Sequence, residues 1–326
     1  MTQINTVLGP VASSELGRTL CHEHIFVLST DVQQNYPEEW GDEQARIDDA
    51  VAKLRQLAAA GYRTIIDPTV VGLGRYLPRI VEIAEQVPEL NIICATGCYT
   101  YTDAPFFFTH RGPALSAALG TEVPDPMVDM FIRDLTTGIA STGVKAGILK
   151  CAIDEPGMTP GVERIMVAVA KASLATAAPI TVHTHPGSHQ GFAVRDLMAR
   201  EGVAPSKVVL GHSGDSNDAE HLSALAEEGF YLGMDRMGIN LATSFEARCD
   251  IVVELCRRGY AAQLLLSHDA ACYLDWIDPN VLAFLPQWHY LHIEQEVLPY
   301  LRAHGVTEAQ IDLMLIENPR RYLEGS

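Results

Sequence analysis

Six side chains able to bind metal ions or move protons stand at the ends of short apolar runs, spread from residue 22 to residue 269. His22 and His24 close Gly17-Arg18-Thr19-Leu20-Cys21, and Lys150 closes Ala146-Gly147-Ile148-Leu149. His183 ends Pro179-Ile180-Thr181-Val182, His212 ends Val208-Val209-Leu210-Gly211, and Asp269 follows Leu264-Leu265-Leu266-Ser267-His268. Residues two apart in a strand point to the same side, so His22 and His24 can reach one ion. Such pairs also occur on ordinary surfaces. His183 and His185 repeat the spacing, which leaves open which of those two would bind. Neutral imidazole suits zinc, cobalt, manganese or iron. Asp269 adds an anionic ligand that can also handle protons, although aspartate is equally at home in a strand-end turn. Lys150 is the odd member, because an ammonium group with a reference pKa of ~10.4 is repelled by a cation. It reads either as a barrel lysine paired with a carboxylate or as a carbamate formed with carbon dioxide, whose two oxygens can bridge two ions. Taken together the pattern is that of a metal-dependent hydrolase.

Residues so far apart can meet only if the fold gathers strand ends, and a parallel barrel places the C-terminal ends of all its strands on one face. Apolar runs predict strands near 17–24, 63–67, 90–96, 146–151, 179–184, 207–212, 230–234 and 263–268. Between them, Ile47, Val51, Leu54 and Leu57 recur at helical spacing within 43–60. Further helices are expected near 75–87, 126–142, 160–177, 190–201, 218–228, 246–258 and 287–304, with Gly61, Gly259 and Gly305 as stops and Pro160 as a start. This alternation predicts a single domain over 1–326, a (β/α)8 TIM barrel. An open doubly wound sheet is the weaker alternative, since no GxGxxG follows the first strand. Three connections, 99–125, 236–245 and 270–286, exceed what a scaffold needs, and all leave the C-terminal ends of strands.

Composition narrows the partners. The 326 residues carry 41 acids against 23 Lys and Arg, a net charge of −18, and 48% hydrophobic residues. Such a surface repels nucleic acid and anionic membranes, so neither is expected as a partner. The cysteines number seven, an odd count with no CxxC pair, and read as reduced core residues of a cytoplasmic protein. No signal peptide is expected at the N-terminus, and no run approaches the ~18 apolar residues of a membrane span.

Several motifs in combination resemble the phosphotriesterase family of the amidohydrolase superfamily, and most of all its phosphotriesterase-like lactonases. They are Gly9-Pro10, Leu20-Cys21-His22-Glu23-His24, Ala146-Gly147-Ile148-Leu149-Lys150, His183-Thr184-His185, Gly211-His212-Ser213-Gly214-Asp215 and Ser267-His268-Asp269. Ala95 to Tyr101, Asp154-Glu155-Pro156-Gly157, Leu232 to Arg236 and Leu274-Asp275-Trp276 add to the likeness, which covers nearly the whole chain. The resemblance implies a binuclear centre at the C-terminal face of the barrel. His22, His24 and Asp269 would hold the more buried divalent ion, whether zinc, cobalt, iron or manganese, and His183 and His212 the more exposed one. Lys150, as its N-carboxylated form, would bridge the two together with a hydroxide, leaving His185 outside the ligand set.

The same resemblance implies an activity. Asp269, Tyr99 and Arg236 form the expected catalytic group, and Tyr99, Tyr101, Leu274 and Trp276 the expected substrate contacts. Asp215 and Arg236 would support the ligands from behind, or equally form a structural ion pair. Phe106-Phe107-Phe108 reads as packing or a subunit interface. A short seventh loop and a longer eighth one favour a lactonase, acting on N-acyl homoserine lactones or simple γ- and δ-lactones, over a true aryldialkylphosphatase. Weak organophosphate hydrolysis is expected as a side activity. Ala271 stands where many resembling lactonases carry cysteine, which reshapes the pocket mouth. A silent ligand-binding relative would have lost metal ligands, and all six positions are kept here. A homodimer is a further implication, as is a role either in quorum quenching or in lactone catabolism.

Overall fold

The strand-forming runs are buried on both faces: Ile148–Ala152, Ile180–His183, Val208–Gly211 and Tyr231–Met234 contain only buried residues. Continuous burial is the mark of a parallel sheet enclosed on both sides. The computed structural model describes residues 2–241 and 243–325. Met1, Ala242 and Ser326 lie outside the described residues, and Ala242 falls in the loop expected at 236–245.

An N-terminal hairpin, β1 (Gln3–Thr6) and β2 (Gly9–Ala12), is followed by β3 (Arg18–Leu20), β4 (His24–Val27), β5 (Tyr62–Asp67) and β6 (Asn91–Gly97). Then come β7 (Ile148–Ala152), β8 (Ile180–His183), β9 (Val208–Gly211), β10 (Tyr231–Met234), β11 (Leu264–Leu266) and β12 (Ala271–Leu274). Eight of these run side by side in the order β11-β10-β9-β8-β7-β6-β5-β3, each pair parallel. Closure comes from the remaining parallel pair, in which Ala271 faces His24 and Leu274 faces Val27. The first and eighth barrel strands are therefore each broken in two, β3 with β4 and β11 with β12. Across the breaks the Asp269 N–H donates to the His22 carbonyl (3.0 Å) and the His24 N–H to the Ala270 carbonyl (2.8 Å). The result is a (β/α)8 barrel.

Alternation along the strands sorts the core. Ile66, Ile93, Ala95, Ile148, Val209, Tyr231 and Leu265 pack together inside the barrel. Their neighbours Ile65, Ile92, Leu149, Val208, Leu210, Leu232 and Leu264 pack against the helices. Ile4, Tyr322 and Leu323 join the inner cluster, so the hairpin and the last helix plug the end away from the metal-type residues. There the Tyr322 hydroxyl bonds Thr181 Oγ1 at 2.9 Å.

Helices fill the connections largely where the spacing places them, and Asp42, Thr159 and Ser244 cap three of them with side-chain oxygens. Two expectations shift. The helix expected over 126–142 stops at Thr136, because the chain then turns through Gly138 and Ala140 at positive φ. The helix expected over 287–304 is regular only over Leu298–Ala303, after a wider turn over Ile293–Val297; Pro299 has no N–H to donate four residues back. The Phe106-Phe107-Phe108 cluster splits, with Phe108 buried and Phe106 and Phe107 exposed.

One glycine is demanded where β6 meets β7. Gly97 has φ +142, and a Cβ there would lie 1.8 Å from the Lys150 carbonyl oxygen. Gly97→Ala should therefore destabilise the protein by about 2–4 kcal/mol or prevent folding, as read by chemical or thermal unfolding.

Candidate metal centre

All six metal-type residues meet at the C-terminal face. His22 lies in the break between β3 and β4, His24 opens β4, Lys150 sits within β7, and His183 ends β8. His212 follows β9 with φ +64, and Asp269 lies in the break between β11 and β12 with φ +54. A left-handed conformation costs a non-glycine residue about 1–2 kcal/mol. Fixed bonds hold both: the His212 N–H donates to Asp235 Oδ1 at 2.7 Å, and the Asp269 N–H to the His22 carbonyl.

The side chains gather in two groups. Nε2 of His22 and Nε2 of His24 lie 3.4 and 3.3 Å from Asp269 Oδ1. His212 Nε2 faces His183 Nδ1 at 2.8 Å. Lys150 Nζ is 3.3 Å from His22 Nε2, and His22, His212 and Asp269 offer ligand atoms within 4.8 Å of one another.

Each histidine is also held from behind. His22 Nδ1 and His212 Nδ1 both donate to Asp235, to Oδ2 at 2.8 Å and Oδ1 at 3.0 Å. His24 Nδ1 bonds Thr69 Oγ1 at 2.7 Å, and that hydroxyl bonds Asp67 in turn. His183 Nε2 bonds Asp154 Oδ2 at 2.5 Å. With the outward nitrogens carrying protons, the inward ones present lone pairs, two of them facing each other across the His183–His212 contact. A cation relieves that repulsion. Nitrogen and carboxylate donors without thiolate suit first-row divalent ions, so the residues fit such ions.

The charges are tuned by burial and by one another. Burial pushes Asp235 up, but His212 and His22 overcome it and hold the carboxyl well below the usual range. Asp269 behaves alike: burial raises it, while the rings of His22 and His212 and the Arg236 guanidinium hold it well down. Burial pushes Lys150 down to about 8, against the pull of Asp269 and Asp235. That leaves an appreciable neutral amine fraction near neutral pH.

Behind Asp269 runs a chain of ion pairs. Arg236 Nε donates to Asp269 Oδ2 and Arg236 Nη1 to Asp215 Oδ2, both at 3.1 Å. Arg248 bonds the other Asp215 oxygen and the Ile239 carbonyl. A cavity of about 260 Å³ opens over the centre. Tyr99 stands on its wall with its hydroxyl 3.1 Å from His183 Nδ1 and 2.6 Å from the Tyr101 hydroxyl. Leu274 lines the same wall, and the Trp276 ring, 44% exposed, lies 5.8 Å from that of Tyr99. Ala271, Leu274, Ile277 and Trp288 also line an adjoining groove of about 890 Å³.

His185 stands apart, its Nδ1 bonded to Ser188 Oγ at 2.9 Å. Asp235, Thr69, Asp154 and Arg248 complete the surroundings and were not singled out as site residues by motif reading. Asp235 carried a usable signal, since it ends the apolar run Tyr231–Met234 as the ligands end theirs. Thr69 and Arg248 carried none, for they lie in a loop and on a helix.

Comparison with known proteins finds relatives along the whole barrel. The model of the phosphotriesterase family matches residues 2–323. A phosphotriesterase homology protein of Mycobacterium tuberculosis is 50% identical over 325 residues, covering 99% of this chain and 98% of its own. An aryldialkylphosphatase of Saccharolobus solfataricus is 34% identical over 316 residues, 96% of each chain. A structure of the phosphotriesterase from Mycobacterium tuberculosis superposes with a TM-score of 0.95 at 51% identity, over 99% of this chain and 98% of that one.

Because Asp235 serves one ring of each group, Asp235→Asn should fold yet bind metal about 10–100-fold more weakly. Metal content per chain after dialysis against a graded chelator measures this.

Proposed function

The chain belongs to the phosphotriesterase family and is a metal-dependent hydrolase, and on that premise we propose that its substrates are lactones, with organophosphate triesters hydrolysed as a side activity. The observation that carries the reading is the cavity. Its floor is polar and its walls hold Val27, Leu73, Leu274, Trp276 and Ile277, which suits a cyclic ester bearing an apolar tail, such as an N-acyl homoserine lactone.

His22, His24 and Asp269 would hold one divalent ion, and His183 and His212 a second, of zinc, cobalt, iron or manganese. Lys150 as its carbamate would lie between them; the burial that lowers its pKa favours the neutral amine that reacts with carbon dioxide. Bound ions supply Lewis acidity, polarising a carbonyl and lowering the pKa of water to ~7. The protein's own groups do the rest. Tyr99 donates its phenolic proton toward the ester carbonyl oxygen and so orients the ring. Asp269 takes a proton from the attacking water and returns it to the leaving alkoxide. Arg236 keeps Asp269 ionised and aimed, and Asp215 holds Arg236 in turn. Tyr101, Leu274 and Trp276 contact the substrate and shield the reaction from bulk water.

The second reading is a true aryldialkylphosphatase, favoured by the name of the Saccharolobus solfataricus relative at 34% identity. The seven free, buried cysteines fit a reducing cytoplasm, and exposed Phe106 and Phe107 offer an apolar contact for a homodimer. Residues 1–326 would act as one hydrolase domain, serving either the quenching of lactone signals or lactone catabolism.

Three outcomes are expected. Metal-loaded protein should prefer a long-chain N-acyl homoserine lactone to an aryl phosphotriester by orders of magnitude in kcat/KM; the reverse order selects the phosphatase. Asp269→Asn should keep the fold and much of the metal while losing at least ~100-fold in kcat, and near-normal turnover would remove Asp269 from the proton path. Metal uptake by stripped protein should be faster with bicarbonate than in carbon-dioxide-free buffer, and Lys150→Met should abolish the difference.

A further inference from the structure

Glu23 lies between His22 and His24, yet it touches neither the cavity nor a donor ring. It is wholly buried, as is His268. Its Oε1 accepts the backbone N–H of His268 at 2.8 Å and the ring Nδ1–H of the same residue at 2.7 Å. Its Oε2 accepts the backbone N–H of Ala270 at 3.1 Å. The other ring nitrogen of His268 accepts the Ile293 N–H at 3.0 Å, which fixes Nδ1 as the proton-bearing one and leaves the ring neutral. Among the described residues no lysine or arginine forms an ion pair with Glu23; its recorded partner is this neutral imidazole. A buried carboxylate backed only by N–H donors is a costly way to stabilise a core.

Its placement explains why it is there. The two residues it grips flank Asp269, whose φ of +54 breaks the eighth barrel strand. The His268 carbonyl accepts the indole N–H of Trp288 at 2.9 Å, and Trp288 lines the cavity. We propose that Glu23 and His268 form a clamp that positions Asp269, holding the strand break so that one carboxylate oxygen meets the His22 and His24 rings and the other meets Arg236. The proposal rests on Asp269 being the proton-handling ligand. A residue that merely stabilises the fold would alter unfolding and little else, whereas a positioning clamp alters turnover in a protein that is still folded.

Metal-loaded Glu23→Gln separates the two. Its amide nitrogen can only donate where the Ala270 N–H also donates, so one side of the clamp opens. The clamp requires kcat to fall about 10–100-fold with KM little changed, unfolding within a few degrees of the parent, and an altered visible spectrum after cobalt loading. Adding Glu23→Gln to Asp269→Asn should then cost no further turnover. His268→Asn, which can keep an N–H directed at Glu23, should retain more kcat than His268→Gln, which instead mimics the other ring nitrogen; this pair serves if Glu23→Gln does not fold. The clamp is overturned by parental kcat and cobalt spectrum in Glu23→Gln, by a loss that merely tracks unfolding, by an equal further loss on the Asp269→Asn background, or by equal kcat in the two His268 variants. If Asp269→Asn itself turns over normally, the reading of Asp269 fails instead, and the cobalt spectrum still decides the clamp.

Discussion

Four imidazoles crowd one small volume, and nothing in that volume is tenable unless each ring is held from its far side. Asp235, just past β10, holds two of them, and Thr69 and Asp154 hold the others. Those bonds choose the tautomers, and the tautomers turn lone pairs inward. The mutual repulsion of the inward nitrogens is thus built into the fold before any ion arrives. Metal affinity and ring orientation are two faces of one arrangement, which is why Asp235 matters as much as the residues it orients. Gly233 makes room for it, because a Cβ there would lie 2.4 Å from Asp235 Oδ2.

The barrel accepts irregularity to make this possible. In the break of the first strand the His22 N–H turns to the Ser267 hydroxyl at 2.9 Å while the Glu23 N–H keeps the Ile66 carbonyl at 3.0 Å, and an unbroken eighth strand would have forbidden the turn at Asp269. The breaks sit opposite each other across the seam, and each supplies the other's missing hydrogen bonds. A large inner core and plugged far end support that local cost. Strain of this kind gathers at working sites because the surroundings over-determine it.

How much of this could be read from the chain depends on the kind of contact. Lys150, His183 and His212 announce themselves, each terminating an apolar run, and the eight runs give the barrel. The breaks are invisible, since Leu20 to His24 reads as one continuous strand and only the partner across the seam interrupts it. Arg248 and Thr69 are equally silent, because their value comes from neighbours far away in sequence: Arg248 meets Asp215, and Thr69 meets His24. Asp235 is an intermediate case, placed by its run like a ligand but given its task by rings on two other strands. Helix ends such as Thr136 escape side-chain periodicity, because backbone turns set the stop.

The eighth connection has one more property. Ala271, Leu274, Ile277 and Trp288 border both the space above the donors and the larger groove beside it. The partition between the two compartments is therefore one layer of side chains, carried on β12 and the chain that follows it, which contribute no metal-type donor beyond Asp269 at their root. Selection acting on that layer can open, narrow or merge the compartments while the donors and their supports stay fixed. Such a division lets a lineage change its diet without relearning its chemistry.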